Sequence, residues 1–149
     1  MKDLSQINEH KYIYLESISE PEDNSLRLIL TEATSDGPEQ DIEIGEVVLS
    51  GSRAIETVSG CAIYEVLFEN YICYNVANES YAQDAGQDKY TGKLARVYEN
   101  SAYLDYIGES TFATADYPGP FFHYGFCCLS HCIDVVSVTE PKVNRSVVA

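Results

Sequence analysis

Residues 61–78, Cys-Ala-Ile-Tyr-Glu-Val-Leu-Phe-Glu-Asn-Tyr-Ile-Cys-Tyr-Asn-Val-Ala-Asn, constrain the fold more than any other part of the chain. Tyr64, Val66 and Phe68 share one side of an extended segment, and Ile72, Tyr74 and Val76 share one side of the next. This two-residue period belongs to half-buried strands and not to helices. Glu69-Asn70 lies between the two runs, and Asn tolerates positive φ, so the spacing predicts a tight turn and a central β-hairpin.

The rest of the chain repeats the pattern. Lys-Tyr-Ile-Tyr-Leu-Glu-Ser-Ile at 11–18 is rich in β-formers, Pro21-Glu22-Asp23-Asn24 breaks it, and Leu26, Leu28 and Leu30 resume on one face, giving a second hairpin. Ser35-Asp36-Gly37-Pro38 reads as a turn. Ile42, Ile44 and Val47-Val48-Leu49 then suggest one strand with a bulge at Gly45. Residues 82–92 are polar and read as a loop, followed by a short strand from Leu94 to Tyr98. Asn100-Ser101 can cap a short helix carrying Tyr103, Leu104 and Ile107 at helical spacing, with Gly108 as a stop and Asp105 and Glu109 outside. Beyond the Tyr117-Pro118-Gly119-Pro120 break, Phe121 to Leu129 and Ile133 to Val138 read as two final strands, and residues 142–149 as a loose tail. The expected fold is α+β, mostly antiparallel sheet of six to eight strands, open-barrel or sandwich-like, with one or two short helices near 100–113. At 149 residues one domain is expected.

Charge narrows the function classes. Nine Lys and Arg against 24 Asp and Glu give a formal charge of −15, which disfavours nucleic-acid backbones and anionic membranes alike. No apolar stretch approaches the roughly 18 residues of a membrane span, and Met1 to His10 contain no continuous apolar core of a secretory signal. Five cysteines, Cys61, Cys73, Cys127, Cys128 and Cys132, are an odd number with three close together, unlike a secreted disulfide framework. A cytoplasmic protein with reduced, structural thiols is the expectation.

His123, Cys127, Cys128, His131 and Cys132 concentrate metal-ligating side chains in one segment. Only Cys128 and Cys132 have a usable spacing, and Cys61 and Cys73 lie twelve apart in the predicted hairpin, so neither zinc nor any cofactor is expected. A calcium loop of the D-x-[DN]-x-[DN]-G kind is absent as well. His131, Cys132 and Asp134 supply the three residue types of a nucleophilic triad, but alternation on a strand keeps them from converging. Asp134, between Ile133 and Val135, reads as a surface or turn-bonding group. No nucleophile elbow, phosphate loop, dinucleotide fingerprint or zinc-protease motif occurs, and no enzymatic activity is expected.

The acids form the stronger pattern. Residues 12–52 hold ten carboxylates and one base, Arg27. Glu20, Glu22, Asp23, Asp36, Glu39, Asp41, Glu43 and Glu46 are therefore the candidate partner-binding residues, a negative field that steers a basic protein and discourages wrong ones. Solubility alone is the plainer reading of the same charges. Twelve tyrosines and no tryptophan suit half-buried β surfaces. They also suit either a contact surface or a tyrosine-lined ligand pocket, the alternative function.

The stretches Phe68 to Tyr81, Tyr103 to Ile107 and His123 to Ser137 resemble small bacterial proteins of the polymorphic-toxin immunity class in size and acidity. That resemblance implies a cytoplasmic acidic protein that neutralises a basic protein partner, such as a toxin nuclease domain. It carries no catalytic or metal-binding residue.

Overall fold

The computed structural model describes residues 2–149, with side chains described from Leu4 onward. The fold is α+β and predominantly antiparallel sheet, as expected, and neither sheet closes into a barrel. The elements are α1 (Lys2–Ile7), β1 (Tyr12–Ser19), β2 (Leu26–Ala33), β3 (Glu39–Ile44), β4 (Val47–Arg53), β5 (Ala62–Phe68), β6 (Tyr71–Asn78), β7 (Lys89–Thr91), β8 (Ala95–Asn100), α2 (Ala102–Ser110), β9 (Phe122–Cys127), β10 (His131–Ser137) and β11 (Lys142–Val147). Among the described residues there are eleven strands, more than the six to eight expected, because short edge strands such as β7 carry no periodic signal.

A four-stranded sheet runs β1-β2-β5-β11 and a five-stranded sheet runs β6-β10-β9-β8-β7. Strand alternation explains how they pack. Leu26, Leu28 and Leu30 of β2 and Tyr64, Val66 and Phe68 of β5 turn inward from the first sheet. Tyr124, Phe126, Ile133 and Val135 turn inward from the second, and all of these belong to one core. The Phe68 ring sits 5.4 Å from Tyr124 and 6.3 Å edge-on from Phe126, joining the layers.

Residues 61–78 therefore do not form a hairpin. The two strands exist, but the chain crosses at Glu69-Asn70 from one sheet to the other: β5 pairs with β2 and β11, and β6 pairs with β10. Two consecutive strands that each carry an apolar side can bury it by stacking in two layers, and their alternation looks the same as in a hairpin.

The C-terminal segment is another correction. Residues 142–147 form β11, with Val143 opposite Val66 and Arg145 opposite Tyr64. Val143 packs against the core, and the Arg145 guanidinium lies 5.8 Å from the Tyr64 ring centre. An edge strand needs only one apolar side chain inward, so its polar composition resembles that of a tail.

The unanticipated α1 brings Leu4 and Ile7 into the core. Just after it, Asn8 Oδ1 accepts from the backbone N–H groups of Lys93, Leu94 and Ala95 at 3.0, 2.7 and 2.8 Å, and its Nδ2 donates to the Ala95 carbonyl. Gly92, at φ +94°, makes this approach possible, since a Cβ there would lie 2.0 Å from the Ala95 oxygen. Helix α2 starts where expected, with Ser101 Oγ accepting from Leu104 N–H as N-cap, but it runs through Gly108 to Ser110, where Thr111 is the C-cap. Ile107 is its fully buried anchor, while Tyr103 and Leu104 are only half-buried.

Candidate functional site

Strands β3 and β4 form a sheet of their own, an arm standing outside the common core. Ile44 pairs with Val47, so Gly45-Glu46 is a two-residue hairpin turn, and Gly45 takes φ +62° as such turns require. The bulge expected at Gly45 lies instead at Ser50-Gly51 opposite Asp41, with Gly51 at φ +79°. At the root of the arm, Thr34 and Glu56 exchange backbone hydrogen bonds of 2.9 and 3.0 Å, and the Tyr14 hydroxyl donates to the Ile55 carbonyl at 2.8 Å. Every residue from Glu39 to Gly51 is exposed.

The register sorts the arm into two faces. Ile42 opposes Leu49 and Ile44 opposes Val47, so these four share one side. They remain 45%, 46%, 62% and 58% exposed respectively, which leaves an uncovered aliphatic face. Glu39, Asp41 and Glu43 alternate to the other side, which they share with the exposed Val48 opposite Glu43, and Glu46 sits at the tip. Arg53, one residue beyond the acid-rich segment, pairs with Glu39 at 3.3 Å. Among the described residues, Asp41, Glu43 and Glu46 have no ion-pair partner.

The other candidate acids are elsewhere. Glu20, Glu22 and Asp23 belong to the β1–β2 loop, at the far end of two eight-residue strands from the root of the arm. At roughly 3.3 Å per residue that is about 25 Å, well beyond the ~8 Å Debye length at physiological salt. Glu20 is also engaged: its carboxylate accepts from Tyr71 Oη at 2.5 Å and from Tyr74 Oη at 3.4 Å. That hydrogen bond pushes the Tyr71 phenol up to about 12. Asp36 is exposed in the turn leading to the arm. The eight candidates thus form an arm group of five and a distant loop group of three.

A second feature lies on the outer face of the five-stranded sheet. His123 Nε2 is 2.6 Å from Asp134 Oδ1, and His123 Nδ1 is 2.8 Å from Ser101 Oγ. Since a carboxylate only accepts, Nε2 carries a proton and donates it to Asp134, while Nδ1 and the Ser101 hydroxyl share the second hydrogen bond. The Tyr98 ring stacks on the imidazole at 3.9 Å and 8°, with Tyr103 tilted against it at 5.2 Å. Gly125 leaves the space for this, because a Cβ there would meet Tyr98 Cε2 at 2.8 Å. Burial pushes the Tyr98 phenol up to about 12 and the Cys127 thiol up to about 11.

Asp134 is thus not a free surface group. It opposes Gly125 in the β9–β10 register, which makes His123 its diagonal neighbour on the same face. The hairpin register was the available signal; within one strand, His131, Cys132 and Asp134 stay apart as alternation requires. The Ser–His–Asp series has the residue types of a hydrolase, yet Ser101 and His123 are each 2% exposed. Ser101 Oγ is also committed to the cap of α2. Its geometry ties helix to sheet and offers no accessible nucleophile. Beside it runs a groove of about 340 Å³ lined by Tyr81, Asp84, Arg96, Tyr98, Tyr103 and Asp134. Arg96 pairs with Asp84 at 3.1 Å and lies 4.1 Å over the Tyr90 ring, so the groove's cation is already matched.

Among the described residues no group of three or more His, Cys, Asp or Glu is placed to hold a metal ion, and no helix is long and apolar enough to cross a membrane. Comparison with known proteins finds no matching family model, no matching curated protein and no matching solved structure.

Proposed function

We propose that this chain is a non-enzymatic binding protein that neutralises a basic protein partner, of the toxin-immunity kind, and that the β3–β4 arm is its docking element. The observation that carries the reading is the placement of Asp41, Glu43 and Glu46, without an ion-pair partner, on an arm that contributes nothing to the core. Charges held at fixed positions on a protruding element raise encounter rates with an oppositely charged surface. Charges needed only for solubility require no such element. The alternative, a small-ligand domain, rests on the tyrosine-lined groove. It is the weaker reading because the groove's cation and its imidazole are paired within the protein.

Capture from the native host tests the proposal, with the wild-type chain and the Glu39→Lys, Asp41→Lys, Glu43→Lys, Glu46→Lys variant as parallel baits. The expected result is a basic protein retained by the first and lost by the second. Equal retention by both baits, or a differential partner that is acidic, would refute it.

A further inference from the structure

We infer that the aliphatic side of the arm is a second contact surface, which seats on an apolar patch of the same basic partner while that partner's Lys or Arg side chains reach the acidic side. The inference rests on the function proposed above and specifies the partner's surface: apolar residues bordered by cations.

Ile42, Ile44, Val47 and Leu49 form a contiguous branched-aliphatic face, and the body of the protein does not cover it. Four such residues on a two-stranded, twisted hairpin are costly to leave in water and invite strand-to-strand aggregation. A sheet with one core face normally turns that face inward; here these side chains stay exposed on an arm that leaves and rejoins the body at the Thr34–Glu56 bridge.

Charge decides which occupant fits. A second copy would bring together two chains of net charge −15, each with an arm carrying four acids and one base that is already paired. A basic partner meets the apolar side with its own apolar patch and finds Asp41, Glu43 and Glu46 within reach round the edge and tip. The two sides then have separable roles. Carboxylates accelerate encounter, whereas desolvated aliphatic contact slows departure.

Three synthetic peptides serve as probes: alternating Lys/Leu, alternating Lys/Ser of the same charge, and alternating Glu/Leu. Each is titrated by fluorescence anisotropy against the wild-type chain and against the double variant Ile42→Asn, Ile44→Asn. That variant is expected to keep its circular dichroism and melting temperature, because both positions lie outside the core. The Lys/Leu peptide is expected to bind wild type at least about tenfold more tightly than Lys/Ser does, and the double variant is expected to remove that advantage. Equal binding of Lys/Leu and Lys/Ser, or Lys/Leu binding unchanged in the double variant, would overturn the apolar contact while leaving electrostatic steering intact. Glu/Leu binding as tight as Lys/Leu would show that charge plays no part and defeat the function reading as well. Sedimentation showing self-association of wild type, abolished in the double variant, would make the occupant a second copy and also overturn the inference.

Discussion

Excising the arm should leave the fold standing. The perturbation removes residues 39–53 and joins Pro38 to Ala54 through two glycines. Twenty-one residues separate Thr34 from Glu56 in the native chain, and six of them survive the excision. With the two glycines, loop closure between the bridge residues becomes easier by about 0.9 kcal/mol. What is lost is small: the exposed Arg53–Glu39 pair and the Arg53 Nη1 bond to the Gly37 carbonyl, each worth under about 1 kcal/mol. The hairpin itself adds little, since an isolated two-stranded ribbon is marginal in water. Net charge also falls from −15 to −12 on losing four acids and one base, which slightly relieves self-repulsion. The opposing contributions nearly cancel, so urea unfolding should place the excised protein within about 1 kcal/mol of wild type. Its melting temperature should shift by no more than about 2–4 °C. A loss above about 3 kcal/mol, or a chain that no longer folds, would refute the claim that the arm stands apart from the core and remove the main reason to assign it a binding role.

Three further outcomes follow from the core and its edges. Ile107→Ala, at a fully buried site, should cost about 2–5 kcal/mol; Leu104→Ala, half-buried on the same helix, should cost clearly less, and chemical denaturation ranks the two. Asn8→Ala leaves three N–H groups at the start of β8 without their shared acceptor, an expected loss of about 2–4 kcal/mol, with faster amide exchange at residues 93–95. Burial raises the phenols of Tyr98 and Tyr124 to about 12 from an ordinary 10.0. The unfolded chain therefore releases those protons first. The buried Cys127 thiol, raised to about 11 from an ordinary 9.0, acts the same way, so the contribution of these groups should be level below about pH 9 and fall as pH rises toward 12, with tyrosinate absorbance appearing together with unfolding; full tyrosinate formation in a still-folded protein would contradict this.

How far the sequence led depends on the range of the interaction. Alternation within a strand is local, so β2 and β5 were legible from Leu26, Leu28, Leu30, Tyr64, Val66 and Phe68. The N-cap at Ser101 was legible too, because a cap is a contact between neighbours. Strand partnership is not local: nothing between Cys61 and Asn78 distinguishes a hairpin from a crossing between two layers, and the choice is made by β2, β11 and β10. The same holds at the candidate sites. The opposite orientation of Asp41 and Glu43 relative to Ile42 and Ile44 follows from strand period alone. Their separation from Glu20, Glu22 and Asp23 depends on the direction of β1 and β2. His123 meets Asp134 and Ser101 only through the β9–β10 register and the docking of α2. Arg53 is not legible as a charge partner of Glu39, because it lies on the far strand of the hairpin and only the β3–β4 register brings the two together.

Electrostatic steering by the arm is read from association kinetics. The basic protein retained by wild type and lost by the charge-reversed bait is mixed with the chain in a stopped-flow instrument, from 0.1 to 0.5 M salt. Over that range the Debye length falls from about 10 Å to about 4 Å. For wild type the on-rate should drop steeply with salt. For the Glu39→Lys, Asp41→Lys, Glu43→Lys, Glu46→Lys variant the rate should be roughly 10- to 1000-fold lower at low salt and nearly flat as salt rises. An on-rate indifferent both to salt and to the four reversals would contradict steering by the arm.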